Sequence, residues 1–167
     1  VEFVLRVDGL RAHPSALAIP AASEACFSIR DHLDSVRVRA EQLVTLSVES
    51  PLHEEVRRLA RSGLLPALGR INATVMAGID HDDLDRPLTD GDRILSPSDF
   101  GFHNALESEG VLKFLDFEYA GWDDPAKLIC DFVCQPDLPL DLELGQFFIR
   151  RLCMAIDSER VAERVEL

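Results

Sequence analysis

Three side chains in this 167-residue sequence stand in an order that can do chemistry: Asp99, Asn104 five residues later, and Asp116 after an apolar stretch. Ile94 and Leu95 are an apolar pair running into Ser96-Pro97-Ser98, so Asp99 is expected on an irregular loop just past a short strand. Ala105-Leu106 and Val111–Leu115 read as two strands joined through Glu107-Ser108-Glu109-Gly110, where Gly can take the positive φ of a tight turn. A hairpin returns its ends to one place, which sets Asn104 and Asp116 side by side. Both carry oxygen donors, the hard ligands of Mg²⁺, and two are enough for an ion that keeps waters and phosphate oxygens as its other ligands. Asp and Asn also serve turns without any metal, and one such residue alone would say little. The three in order around a hairpin say more.

That order, Asp-x4-Asn and then a strand ending in Asp-Phe, resembles the catalytic segment of protein-kinase-like phosphotransferases, in the branch of the aminoglycoside phosphotransferases and choline kinases. The resemblance implies ATP and Mg²⁺ as cofactors, with Asn104 and Asp116 as metal and nucleotide-phosphate ligands. It implies Asp99 as the catalytic residue, orienting the accepting hydroxyl and taking its proton. The family usually has His two residues before the catalytic Asp, where this sequence has Pro97. It has a small residue just before the Asn, where this sequence has His103, read as a residue that holds the loop in preference to one that touches phosphate. Glu118, two residues past Asp116, is read in the same way. Asp131 is a candidate for the family's buried carboxylate that braces the catalytic loop, against the alternative of a surface Asp.

Residues 1–92 contain no Gly-rich G-x-G-x-x-G loop and no Lys, the two lysines being Lys113 and Lys127. The resemblance therefore covers a C-terminal lobe only. The N-terminal lobe is expected to be missing from this chain, with residues 1–167 alone inactive. The fold expected is mainly α (α+β): the C-terminal lobe of a protein-kinase-like fold, helical, with a small β-hairpin carrying the catalytic loop. One domain is expected over 1–167. Residues 1–19 link to the absent lobe, with Val1–Val7 as a strand; 20–92 form a helical substrate-side region. Residues 93–122 carry the catalytic and metal-binding segment, and 123–167 the last helices.

Composition agrees with one sizeable core, at 47% hydrophobic residues. A net charge of −13 argues against nucleic acid and against an anionic membrane as partners, and suits a cationic small-molecule hydroxyl substrate. The four cysteines, Cys26, Cys130, Cys134 and Cys153, are scattered, with Cys130 and Cys134 one helical turn apart and read as core. No long apolar run or signal pattern occurs, so the cytoplasm is the expected location.

Elsewhere the pattern is helical. Cys26, Ile29, Leu33, Val36, Ala40 and Leu43 form one stripe at spacings of three and four, read as core. Ser50-Pro51 opens another helix, Ser as N-cap and Pro in the first turn. Leu64, Leu68, Ile71, Val75 and Ile79 mark a third, and 80–92 an acidic loop. Gly121–Pro125 resembles the loop that follows the metal Asp in that family, with Asp124 as the cap of a helix through Leu128, Ile129 and Phe132. Leu140–Met154 and Ser158–Leu167 read as further helices.

The function expected is ATP-dependent phosphorylation of a hydroxyl on an amino-sugar, amino-alcohol or similar metabolite. The alternative is a catalytically degenerate kinase-like lobe acting as a binding or regulatory module, which Pro97 and the missing N-terminal elements motivate. A third class is a metal phosphohydrolase built on His32, His53 and His81-Asp82, which leaves the Asp99–Asp116 pattern unexplained.

Overall fold

In the computed structural model the protein is mixed α+β and about 57% helical. The described residues are 1–167 except 48, 137, 157–160, 162–163 and 166–167. The expected helix over Ser158–Leu167 falls largely outside them. The chain, expected as one domain, divides into two compact units: Val1–Phe27 with Leu88–Leu167, and Ser28–Pro87.

The first unit opens with a correction. Val1–Val7 is not a strand in a linker: Glu2–Asp8 is helix α1, followed by the short α2 over Pro14–Leu17. A lone strand leaves its backbone groups to find partners, whereas a helix satisfies them internally. Val4 is fully buried, and Glu2 and Arg6 pair across one exposed turn at 2.9 Å. Strand β1 (Ile94–Ser96) is buried throughout, and its antiparallel partner is β4 (Gly121–Asp123), in the register Ile94↔Asp123. The segment read as a loop before Asp124 is thus a strand, held on its other side by Trp122 N–H to the Pro20 carbonyl at 3.0 Å and Ala22 N–H to the Trp122 carbonyl at 2.9 Å.

The predicted hairpin is present as β2 (Ala105–Ser108) and β3 (Val111–Phe114). Glu109 and Gly110 both have positive φ, 55° and 76°, the two-residue turn whose twist matches the strands. Helix α7 (Pro125–Val133) starts as expected, Asp124 Oδ1 accepting from Ala126 N–H at 2.8 Å. It buries Leu128, Ile129 and Phe132, while Cys130 and Cys134 lie on its exposed side and not in the core. Helix α8 (Leu142–Ile156) adds Phe148 and Leu152 to the same core, with Val4, Ile94 and Phe100. Phe147 is half exposed.

In the second unit, α3 (Ile29–Thr45) begins with a capping box between Ser28 and Asp31. Cys26 therefore lies outside the helix. Ala40 is buried, but Val36 and Leu43 are substantially exposed, so two of the six residues of the stripe read as core face outward. Helix α4 (Pro51–Leu59) starts at the Ser50 cap. One π-helical turn, Ala60–Leu64, carries it into α5 (Leu65–Gly78), whose Leu68 and Val75 are buried. The acidic stretch after it holds a short α6 (His81–Leu84). Among the described residues no helix is long and apolar enough to cross a membrane.

Candidate functional site

Strand β1 delivers the chain to Asp99 through a tight reversal. Ser98 has φ +66°, Ser96 Oγ accepts its N–H at 3.0 Å, and Phe100 N–H turns back to the Ser98 carbonyl at 2.6 Å. The Asp99 carboxylate comes out half exposed. Just after it, Phe102–Asn104 forms a single 3₁₀ turn, which brings two side chains back to it. Asn104 Nδ2 donates to the Asp99 carbonyl at 3.0 Å and to Oδ2 at 3.3 Å. His103 Nε2 lies 3.1 Å from Oδ1.

Asn104 also stands just before β2, at the open end of the hairpin. Its carbonyl accepts Leu115 N–H at 2.9 Å, one pair beyond the Ala105↔Phe114 register, so Asp116 is the next residue along the opposite arm. Asp116 has φ +61°, a left-handed conformation that costs an L-residue about 1 kcal/mol or more and that Asp tolerates better than most. The Tyr119 phenol reports the charge around it. Its titration is pushed up first by a hydrogen bond to Glu118 and then by that carboxylate's charge, with Asp116 and Asp99 adding to it. Three carboxylates from two loops therefore bear on one exposed hydroxyl.

The two loops share an anchor that the sequence did not reveal. Each carboxylate is followed by Phe, and both rings stack on Phe3 of α1: Phe100 at 5.7 Å with an 18° interplanar angle, Phe117 at 5.9 Å and 15°. Phe114 fills the space between, 4.6 Å from Phe3 and 4.9 Å from Phe100. Phe132 continues the cluster from Phe100 into the core. The loop positions are thus set by aromatic packing.

Asp131 is not the buried brace. It pairs with Lys127 at 2.5 Å with its side chain 38% exposed. Among the described residues the buried carboxylates are Asp123 and Asp124, both fully enclosed. Asp123 Oδ1 accepts Cys26 N–H at 3.0 Å and Asp124 N–H at 2.8 Å, tying the segment before Ser28 to β4. Burial pushes its titration up, against the pull of those amides and of Lys127. For Lys127 burial acts downward but is outweighed by Asp131, with Asp123 helping, so the ammonium is held above its ordinary range. Asp124 Oδ2 takes the Arg164 guanidinium through Nε at 2.9 Å and through Nη2.

Among the described residues no group of three or more His, Cys, Asp or Glu side chains is placed to hold a metal ion. His53 Nδ1 is instead 3.0 Å from the Ser47 carbonyl. The phosphohydrolase reading on His32, His53 and His81 thereby loses its geometry. The chain matches no protein-family model, no curated protein and no solved structure.

Proposed function

We propose that the protein is an ATP- and Mg²⁺-dependent small-molecule phosphotransferase whose acceptor is a hydroxyl group. One observation carries the reading. Asn104 ties its amide nitrogen to Asp99 while its backbone pairs beside Asp116, which draws all three residues to one end of the hairpin. With Nδ2 spent on Asp99, the oxygen Oδ1 is the amide's remaining polar atom, and a carboxylate follows across the hairpin. That donor pair fits Mg²⁺. Such an ion, when bound, would neutralise charge on the nucleotide phosphates.

The chain's own residues divide the rest of the work. Asp99 accepts a hydrogen bond from the substrate hydroxyl, aims its oxygen, and receives its proton as that oxygen becomes a phosphate ester. Asn104 and Asp116 hold the cation. Asp99, Asp116 and Glu118 make the mouth of the site anionic, which favours an amine-bearing acceptor such as an amino-sugar or amino-alcohol.

Titration of isotopically labelled protein with MgATP tests this. Resonances of Asn104 and Asp116 are expected to move, and Asp116→Ala to abolish the response. In a form that turns over, Asp99→Asn should still bind nucleotide but lose about 10²- to 10⁴-fold in kcat, since an amide cannot take the proton. A response that ignores Asp116→Ala, or an Asp99→Asn variant as fast as wild type, refutes the reading. Nucleotide binding with no transfer to any acceptor would leave a binding module.

A further inference from the structure

Resting on that reading, we infer that His103 is the positioning residue of Asp99. The Asp99 carboxylate has two oxygens, and each is held by a different neighbour: Oδ2 by the Asn104 amide and Oδ1 by the His103 ring. An ionised carboxylate has no hydrogen to give and can only accept, so the imidazole nitrogen at 3.1 Å is the donor, and the ring hydrogen sits on Nε2. The Gln135 amide nitrogen also faces Nε2, at 3.5 Å, but two donors cannot share a hydrogen bond and the shorter contact decides. Nδ1 is buried with no hydrogen-bond partner, which suits a bare lone pair and would be costly for an N–H.

The surroundings keep the ring in this pose. The His103 side chain is only 16% exposed, against 49% for Asp99. Gly101 makes room for it: a Cβ there would stand 2.5 Å from Nδ1 and 2.7 Å from Cε1, so no other residue leaves the ring where it is. Gly101 φ is −170°, ordinary extended backbone, and the requirement is therefore one of space alone. The carboxylate is left with its remaining lone pairs toward solvent and cannot rotate without breaking two hydrogen bonds. A base that must meet a hydroxyl along one line gains from that constraint. His103 touches neither nucleotide nor acceptor in this assignment. It acts through Asp99.

Two measurements test it. The imidazole ¹⁵N spectrum should show His103 with its hydrogen on Nε2, and Asp99→Ala should shift that nitrogen. A hydrogen on Nδ1, or no response to Asp99→Ala, overturns the assignment whether or not the protein is a phosphotransferase. In a turning-over form, His103→Leu should lower kcat by about 30- to 100-fold with the KM for ATP changed less than about twofold. His103→Gln, which offers an N–H at similar reach, should recover kcat to within about fivefold of wild type. Gly101→Ala should resemble His103→Leu. Equal losses in His103→Leu and His103→Gln, or a loss lying wholly in KM, overturn the positioning role. Absence of transfer by wild type would fail the phosphotransferase reading, and the imidazole spectrum would still decide how His103 is held.

Discussion

Truncating Phe3 to Ala should loosen the candidate site from 96 or more residues away. The ring makes three aromatic contacts, with Phe100, Phe114 and Phe117, at 5.7, 4.6 and 5.9 Å. Such pairs contribute about 0.5–1.5 kcal/mol each beyond area burial. A fully buried Phe→Ala change costs about 3–5 kcal/mol. Phe3 is only partly buried, so the cost should fall below that span, at about 2–3 kcal/mol. At about 2 kcal/mol per molar of urea, the unfolding midpoint should fall by about 1–1.5 M. Phe3→Leu, which keeps apolar volume without stacking, should lose less than half as much. The more telling readout is local. Backbone amides of Asp99 and Asp116 should exchange faster in Phe3→Ala, because both following Phe rings lose the same partner. A midpoint shift below about 0.3 M, or unchanged exchange at those two residues, would refute the claim that α1 anchors the site.

Two further outcomes concern stability. Asp123 titrates above its ordinary value of 3.8 in the fold, so between that value and the raised one the native chain holds more protons than the unfolded chain. Stability should therefore decline as pH rises through that window, and Asp123→Asn should flatten the decline in urea midpoints taken from pH 4 to 7. An unchanged slope would exonerate Asp123. Glu109 occupies the left-handed first position of the hairpin turn, where Asn is at ease, so Glu109→Asn should stabilise by about 0.5–1 kcal/mol in thermal unfolding. A lower melting temperature would contradict the turn assignment.

The local signals were readable from the sequence, and the long-range ones were not. The hairpin is legible from its two apolar runs and from Gly110, and the Ser50 and Asp124 caps from residue type, because both depend on neighbours a few positions away. Helix α1 was misread because seven residues rich in Val and Phe carry too little periodicity to separate helix from strand, and its register is set by burying Val4. Phe3 gave no hint of its role, since its partners lie near residues 100–117. The buried carboxylates Asp123 and Asp124 are hidden from the sequence for the same reason: their partners Cys26 and Arg164 are remote in sequence. His103 was recognised as a loop residue, but only the 3₁₀ turn shows that the group it holds is Asp99.

The unit that carries the site is interrupted in sequence by Ser28–Pro87. The interruption is closed at its neck, because Leu88 N–H donates to the Phe27 carbonyl at 2.7 Å. A chain that leaves and returns at one hydrogen bond imposes no span on what lies between. Such a cassette can grow, shrink or be exchanged while the frame around Asp99 keeps its geometry, and doubling its length would add only about 0.6 kcal/mol of closure entropy. Evolution could then vary those 28–87 helices at little cost to the hairpin end where Asp99, Asn104 and Asp116 meet.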